Sequence, residues 1–130
     1  MKTYRHRAVI LPLCYMIALL LLSSVPGDGS SSQVSGQVLQ DISPQWQNLL
    51  HIPLYGGLTL SWAWALTAFP LKLNHRLAIA FILTLAWALV DECYQMSVPG
   101  RYGSLTDIGL NILGASCAVA LIHLIYKRPT

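Results

Sequence analysis

Asp91, Glu92, Gln95, Arg101, Ser104, Asp107 and Asn111 lie between two apolar stretches, a run of polar side chains that a membrane helix normally excludes. An ionisable group within such a span costs roughly 2.5–3.5 kcal/mol at the bilayer centre on insertion scales, so a cluster implies partners, water or a ligand. Asp91 and Gln95 stand four apart and Glu92 and Gln95 three apart, so both acids flank the amide on a helix. They point about 100° from each other, and only one of them is expected to face fully inward. Ser104 and Asp107 have the S-x-x-[DE] spacing in which a hydroxyl caps the first amides of a helix, and Asp107 and Asn111 share a face. Pro99 and Gly100 form the turn that holds Arg101 near the interface. Upstream, His51 and Tyr55 stand four apart on one helix face, and Pro53 between them predicts a kink that frees a backbone carbonyl.

With Asp91, Glu92 and Asp107 ionised against Arg101 and His51 neutral, the group carries a formal charge of −2. Carboxylates so close in low dielectric respond by sharing a proton, by charging His51, or by recruiting a cation. Each residue also has a plainer reading. Ser104 and Asp107 serve a cap alone, Arg101 pairs with Asp91 or Glu92 to lock its loop, and His51 is an interfacial residue. No metal is expected, because His51 and the acids lack the spacing of a known ligand set, and no cofactor motif is present. Gly114, Ala115, Ser116 and Ala118 read as a close-packing helix surface. Trp62, Trp64 and Trp87 read as core or lipid-facing anchors.

The elements that must position these groups follow from composition. With 55% hydrophobic and 10% charged residues and a mean hydropathy of +0.54, the 130-residue chain reads as a multi-pass membrane protein of one compact domain. The net charge of +3 sits in short connections and at the ends, with no basic face interleaved with aromatics, which excludes nucleic acid as a partner. Cys14, Cys93 and Cys117 each lie in an apolar stretch without paired spacing and read as small buried residues.

A helix needs roughly 20 mostly apolar residues to cross about 30 Å of hydrocarbon. Four stretches approach that length, at 8–24, 49–69, 77–95 and 105–126, so the expected fold is all-α, a membrane-embedded four-helix bundle. The first could instead be a secretory signal followed by Ser23, Ser24, Val25, Pro26 and Gly27, but it lacks an Ala-x-Ala-like site and is long for a signal core; a retained span is expected. Residues 26–43 form a Gly/Ser-rich flexible loop, with Ser43 and Pro44 opening the second span and Trp46 in the interfacial belt. Lys2, Arg5 and Arg7 precede span one, Lys72 and Arg76 lie between spans two and three, and Lys127 and Arg128 follow span four in a basic tail at 127–130. Arg101 alone falls on the other side, which puts both termini in the cytoplasm and the polar cluster on the outer face.

Leu85-Ala86-Trp87, Glu92, Gln95, Pro99-Gly100-Arg101, Ser104, Asp107, Asn111 and Gly114, with Asn48, His51, Pro53, Tyr55 and Gly57 upstream, resemble the VanZ-like family of small bacterial membrane proteins over about 48–118. That family is named for a protein associated with resistance to the glycopeptide teicoplanin. The chain departs from its pattern at Asn48 and Leu49, where many relatives carry an acid and a lysine, and at Ala118, where a second glycine is common. The resemblance implies a three-helix core at 44–126 behind a first span at 1–25, a place in the bacterial cytoplasmic membrane, and a polar site at His51, Tyr55, Glu92, Gln95, Arg101, Asp107 and Asn111. It supplies a phenotype class and a location, not a reaction.

The leading expectation is therefore an envelope protein whose outward polar pocket, with Asp91 and Ser104 included, binds a glycopeptide, a lipid-linked wall precursor or a partner. A membrane-embedded enzyme on a lipid-linked substrate is the alternative, with Glu92 or Asp91 as acid or base and His51 as proton shuttle. Against it, the chain has no G-x-S-x-G, H-E-x-x-H or phosphate-binding glycine loop. A purely structural bundle latched by Arg101 is the third reading, and a transporter fits least, since no inverted repeat is evident.

Overall fold

The computed structural model describes residues 7–26 and 48–126. They form four α-helices, α1 (Ile10–Ser23), α2 (His51–Ala65), α3 (Leu73–Gln95) and α4 (Leu105–Tyr126), with a 3-10 turn at Leu66–Ala68 and no strand among the described residues. The expected roles of Ser43, Pro44 and Trp46, of the Gly/Ser-rich loop and of Lys2, Arg5, Lys127 and Arg128 lie outside the described residues.

At about 1.5 Å per residue, the 23 residues of α3 and the 22 of α4 are long and apolar enough to cross a membrane. The 14 residues of α1 form a shorter apolar helix. α2 stops at Ala65 because Phe69 must adopt an extended conformation (φ −109°, ψ 148°) ahead of Pro70, and the 3-10 turn tightens the end of the helix before that break. α3 starts earlier than its apolar stretch, at Leu73, with Lys72 extended at its N-cap. Pro53 does not break α2. It is the third residue of the helix, in the first turn, where a proline is tolerated.

α2 is the element on which the others pack: its most extensive contact is with α4, and it also contacts α3 and α1. Leu58, Trp62 and Ala63 of α2 and Leu77, Ala80 and Ala88 of α3 make up most of the apolar core, with Leu19 of α1. α2 and α4 approach closely through glycine. A Cβ on Gly114 would press into the Ile52 carbonyl, and one on Gly56 would lie 3.2 Å from the Gly114 carbonyl oxygen. Small residues at a helix crossing let backbones touch where no hydrophobic force separates lipid from side chain. Away from these contacts large side chains stand exposed, among them Ile17, Leu21, Ile82, Leu89, Leu124 and Ile125, an outer surface suited to hydrocarbon. Trp62 belongs to the core and Trp64 to that outer surface. Cys14, Cys93 and Cys117 are exposed and unpaired, not buried as expected, because each falls on an outward helix face.

Candidate functional site

Four helices bring their polar residues to one end of the molecule. On α3 the inward stripe Leu77, Ala80, Thr84, Ala88 changes to Asp91, Glu92 and Gln95 in the last turns, and all three are buried. The expectation that only one acid faces inward is therefore wrong, because α3 has neighbours in both directions. Asp91 faces α1 and α2. Its Oδ2 accepts hydrogen bonds from the Ser23 hydroxyl (2.9 Å), the Tyr55 hydroxyl (2.8 Å) and the Gln95 amide (3.2 Å). Glu92 faces the start of α4, where its Oε1 accepts the backbone N–H of Ser104.

This last contact completes the cap of α4 from outside the helix. The Ser104 hydroxyl accepts the Thr106 N–H at 3.1 Å, as the sequence spacing predicts. In a capping box the acid three residues on returns to the N-cap amide; here Glu92 holds that amide in place of Asp107. Asp107 is buried on the inner face of α4 with Asn111, Gly114, Ala115 and Ala118. Asn111 in turn reaches α2: its Oδ1 accepts a hydrogen bond of 2.9 Å from the Nδ1–H of His51, whose ring stacks on Tyr55 at a centroid distance of 6.0 Å.

Arg101 follows a tight turn closed by the Arg101 N–H to the Val98 carbonyl (3.1 Å), with Pro99 and Gly100 at its centre. Gly100 has φ 73°, the left-handed value that the third residue of a type II turn requires. The guanidinium does not pair with Asp91 or Glu92. Its Nε donates to the Val25 carbonyl (2.9 Å) and one terminal nitrogen donates to Gln95 Oε1 (3.3 Å), so Gln95 joins the arginine to Asp91.

Between these groups lies a cavity of about 80 Å³, lined among others by Ser23, His51, Tyr55, Asp91, Gln95, Arg101 and Asp107. Glu92, Ser104 and Asn111 are not in its wall: Asn111 orients His51, and Glu92 and Ser104 bond each other beside it. Ser23, the Val25 carbonyl and the cavity-lining Asn48 were not among the residues expected at the site. Ser23 could have been found, since the expected orientation puts the end of span one at the same depth as Gln95. Asp91 Oδ1, Glu92 Oε2, Asp107 Oδ1 and Asn111 Nδ2 are buried without a hydrogen-bond partner. Among the described residues no three His, Cys, Asp or Glu side chains converge in a way that could hold a metal ion.

Comparison with known proteins extends the sequence resemblance to α1. No curated protein and no solved structure matches the chain. The family model VanZ/LLP1 matches residues 8–126, from the first turn of the chain's first apolar stretch to the last residue of α4, and the chain belongs to that family.

Proposed function

We propose that this VanZ/LLP1 protein is a multi-pass protein of the bacterial cytoplasmic membrane that binds the polar end of a lipid-linked envelope molecule in an outward-facing pocket, and that occupancy there lowers glycopeptide action. In this reading all four helices cross or enter the bilayer as one bundle with both termini inside. The first span is retained, because its end supplies Ser23 and the Val25 carbonyl to the site. The observation that carries the reading is the cavity itself, where Asp91, Asp107, His51 and Arg101 from separate segments meet beneath apolar helix surfaces.

Size favours one of the candidate ligands. A site for a drug-sized molecule measures roughly 300–1,000 Å³. The cavity of about 80 Å³ suits one small polar group better than a whole glycopeptide. The terminus of a lipid-linked precursor, whose chain stays in the bilayer, fits this geometry better. Binding of teicoplanin and of wall-precursor lipid to purified protein, wild type against Arg101→Ala, tests the proposal. The precursor is expected to bind the wild type and to lose at least tenfold in affinity with the variant. Saturable teicoplanin binding without precursor binding refutes it, as does resistance unchanged by alanine at both Arg101 and Glu92 when protein levels are equal.

A further inference from the structure

The end of the molecule opposite the polar pocket carries charge of one sign. In the proposed orientation every Lys and Arg except Arg101 belongs to it, and no acidic side chain does: Asp28 and Asp41 lie in the loop after span one, and Asp91, Glu92 and Asp107 stand at the pocket end. No side-chain carboxylate is therefore placed to neutralise these cations, and the balancing charge comes from outside the chain.

Two helices give this charge a shape. Arg76, in the first turn of α3, lays its guanidinium over the ring of Tyr126 at the end of α4, 5.5 Å from the centroid. A ring face holds a guanidinium without using its N–H donors. Nε of Arg76 is buried without a partner, whereas the terminal nitrogens are accessible and make no hydrogen bond or ion pair among the described residues. Lys72 stands one turn earlier, and Lys72, His75, Arg76, Ile79 and Ile82 follow one another in three- and four-residue steps along one face of α3. Lys72 and His75 are exposed, as are Ile79 and Ile82 toward the middle of the helix. The face thus passes from cationic to apolar within three turns. Free phosphate or an acidic protein segment would match its upper half alone; an amphiphile with an anionic head matches both halves.

From this juxtaposition we infer that the α3–α4 edge around Arg76 is a binding site for an anionic phospholipid, its phosphate on Arg76 and Lys72 and an acyl chain along Ile79 and Ile82. The free terminal nitrogens of the guanidinium form the fork that takes two phosphate oxygens at once. A zwitterionic headgroup brings its own cation toward Lys72, so the site selects net negative charge. The assignment of this lipid to the cytoplasmic leaflet rests on the proposed orientation; the site itself does not depend on the pocket at the other end.

Full-length protein in dodecyl maltoside, titrated with dioleoylphosphatidylglycerol or dioleoylphosphatidylcholine, gives the test, with the thermal unfolding midpoint as readout. The glycerol lipid is expected to raise the midpoint saturably, half-maximally at a micellar mole fraction at least tenfold lower than the choline lipid. Lys72→Gln with Arg76→Gln is expected to reduce that preference at least fivefold, and Lys127→Gln with Arg128→Gln, which removes the same charge, to leave it within twofold. Lys72→Gln alone, at an exposed position, is expected to reduce it about threefold and serves if the double variant does not fold. Equal response to the two lipids overturns the inference. So does an equal loss from both double variants, which would mark diffuse attraction to the basic end, and so does a response to glycerol 3-phosphate without one to the lipid. A preference that survives Lys72→Gln with Arg76→Gln but disappears with Arg101→Ala places the lipid in the opposite pocket, which overturns this site and leaves the pocket reading standing.

Discussion

Removing one oxygen atom tests the site most directly. Tyr55 is 1% exposed and its ring packs in the core beside Leu58, so Tyr55→Phe keeps the packing and deletes only the 2.8 Å hydrogen bond to Asp91 Oδ2. Hydrogen bonds to charged groups contribute about 1.5–3 kcal/mol, whereas interhelical bonds in a membrane protein average about 0.6 and reach about 1.7 kcal/mol. Asp91 Oδ2 keeps its bonds from Ser23 and Gln95 in the variant, which limits the loss, but it sits at the join of α1, α2 and α3, which raises it. The two ranges overlap near 1.5 kcal/mol, roughly a tenfold shift in the unfolding equilibrium. Reversible unfolding in mixed micelles measures it, and a cycle with Asp91→Asn isolates the pair, with a coupling of at least about 0.5 kcal/mol expected. If Tyr55→Phe unfolds within about 0.3 kcal/mol of the wild type, or if the two substitutions add without coupling, the hydroxyl does not hold the carboxylate and the site as described is wrong.

Gly114→Ala should destabilise, because the added methyl presses into the Ile52 carbonyl and forces α2 and α4 apart at a cost of about 1–3 kcal/mol that exceeds the helix-propensity gain of about 1 kcal/mol. Gly109→Ala, with nothing within 4 Å of the new atom, should be neutral or stabilising in the same unfolding assay, and a Gly114→Ala variant as stable as that control would contradict the close crossing. In a background without Cys14, Cys93 and Cys117, Tyr102→Cys should react with an impermeant maleimide on intact cells and Lys72→Cys only after permeabilisation; the reverse pattern would invert the proposed orientation.

The helices were legible because hydrophobic runs of this length have few alternatives, and the fourth is bounded as expected, by Ser104 at its start. α3 was read too short, since Asn74, His75 and Arg76 in its first turns hide a helix from a criterion based on apolarity. The second span was read too long because its last residues are apolar yet cannot remain α-helical before Pro70. At the site, spacing along one helix put His51 with Tyr55 and Asp107 with Asn111 on shared faces, and the fold joins these two faces through the His51–Asn111 bond. It could not say that Asp91 and Glu92 serve different neighbours, because burial at adjacent positions depends on how many elements surround a helix. For the same reason Arg101 was paired on paper with an acid that it reaches only through Gln95.

The bond from Glu92 to the Ser104 amide ties the beginning of one helix to the end of another. A helix whose first turn draws an acceptor from its predecessor is not fully capped by its own residues. In the topology proposed above, α3 and α4 would insert as a hairpin, with the Glu92 carboxylate and the Ser104 amide arriving together at the outer face. The same dependence ties the start of the last helix to a side chain a dozen residues earlier, so loss of the Glu92 carboxylate would register in how α4 docks as well as in the pocket beside it.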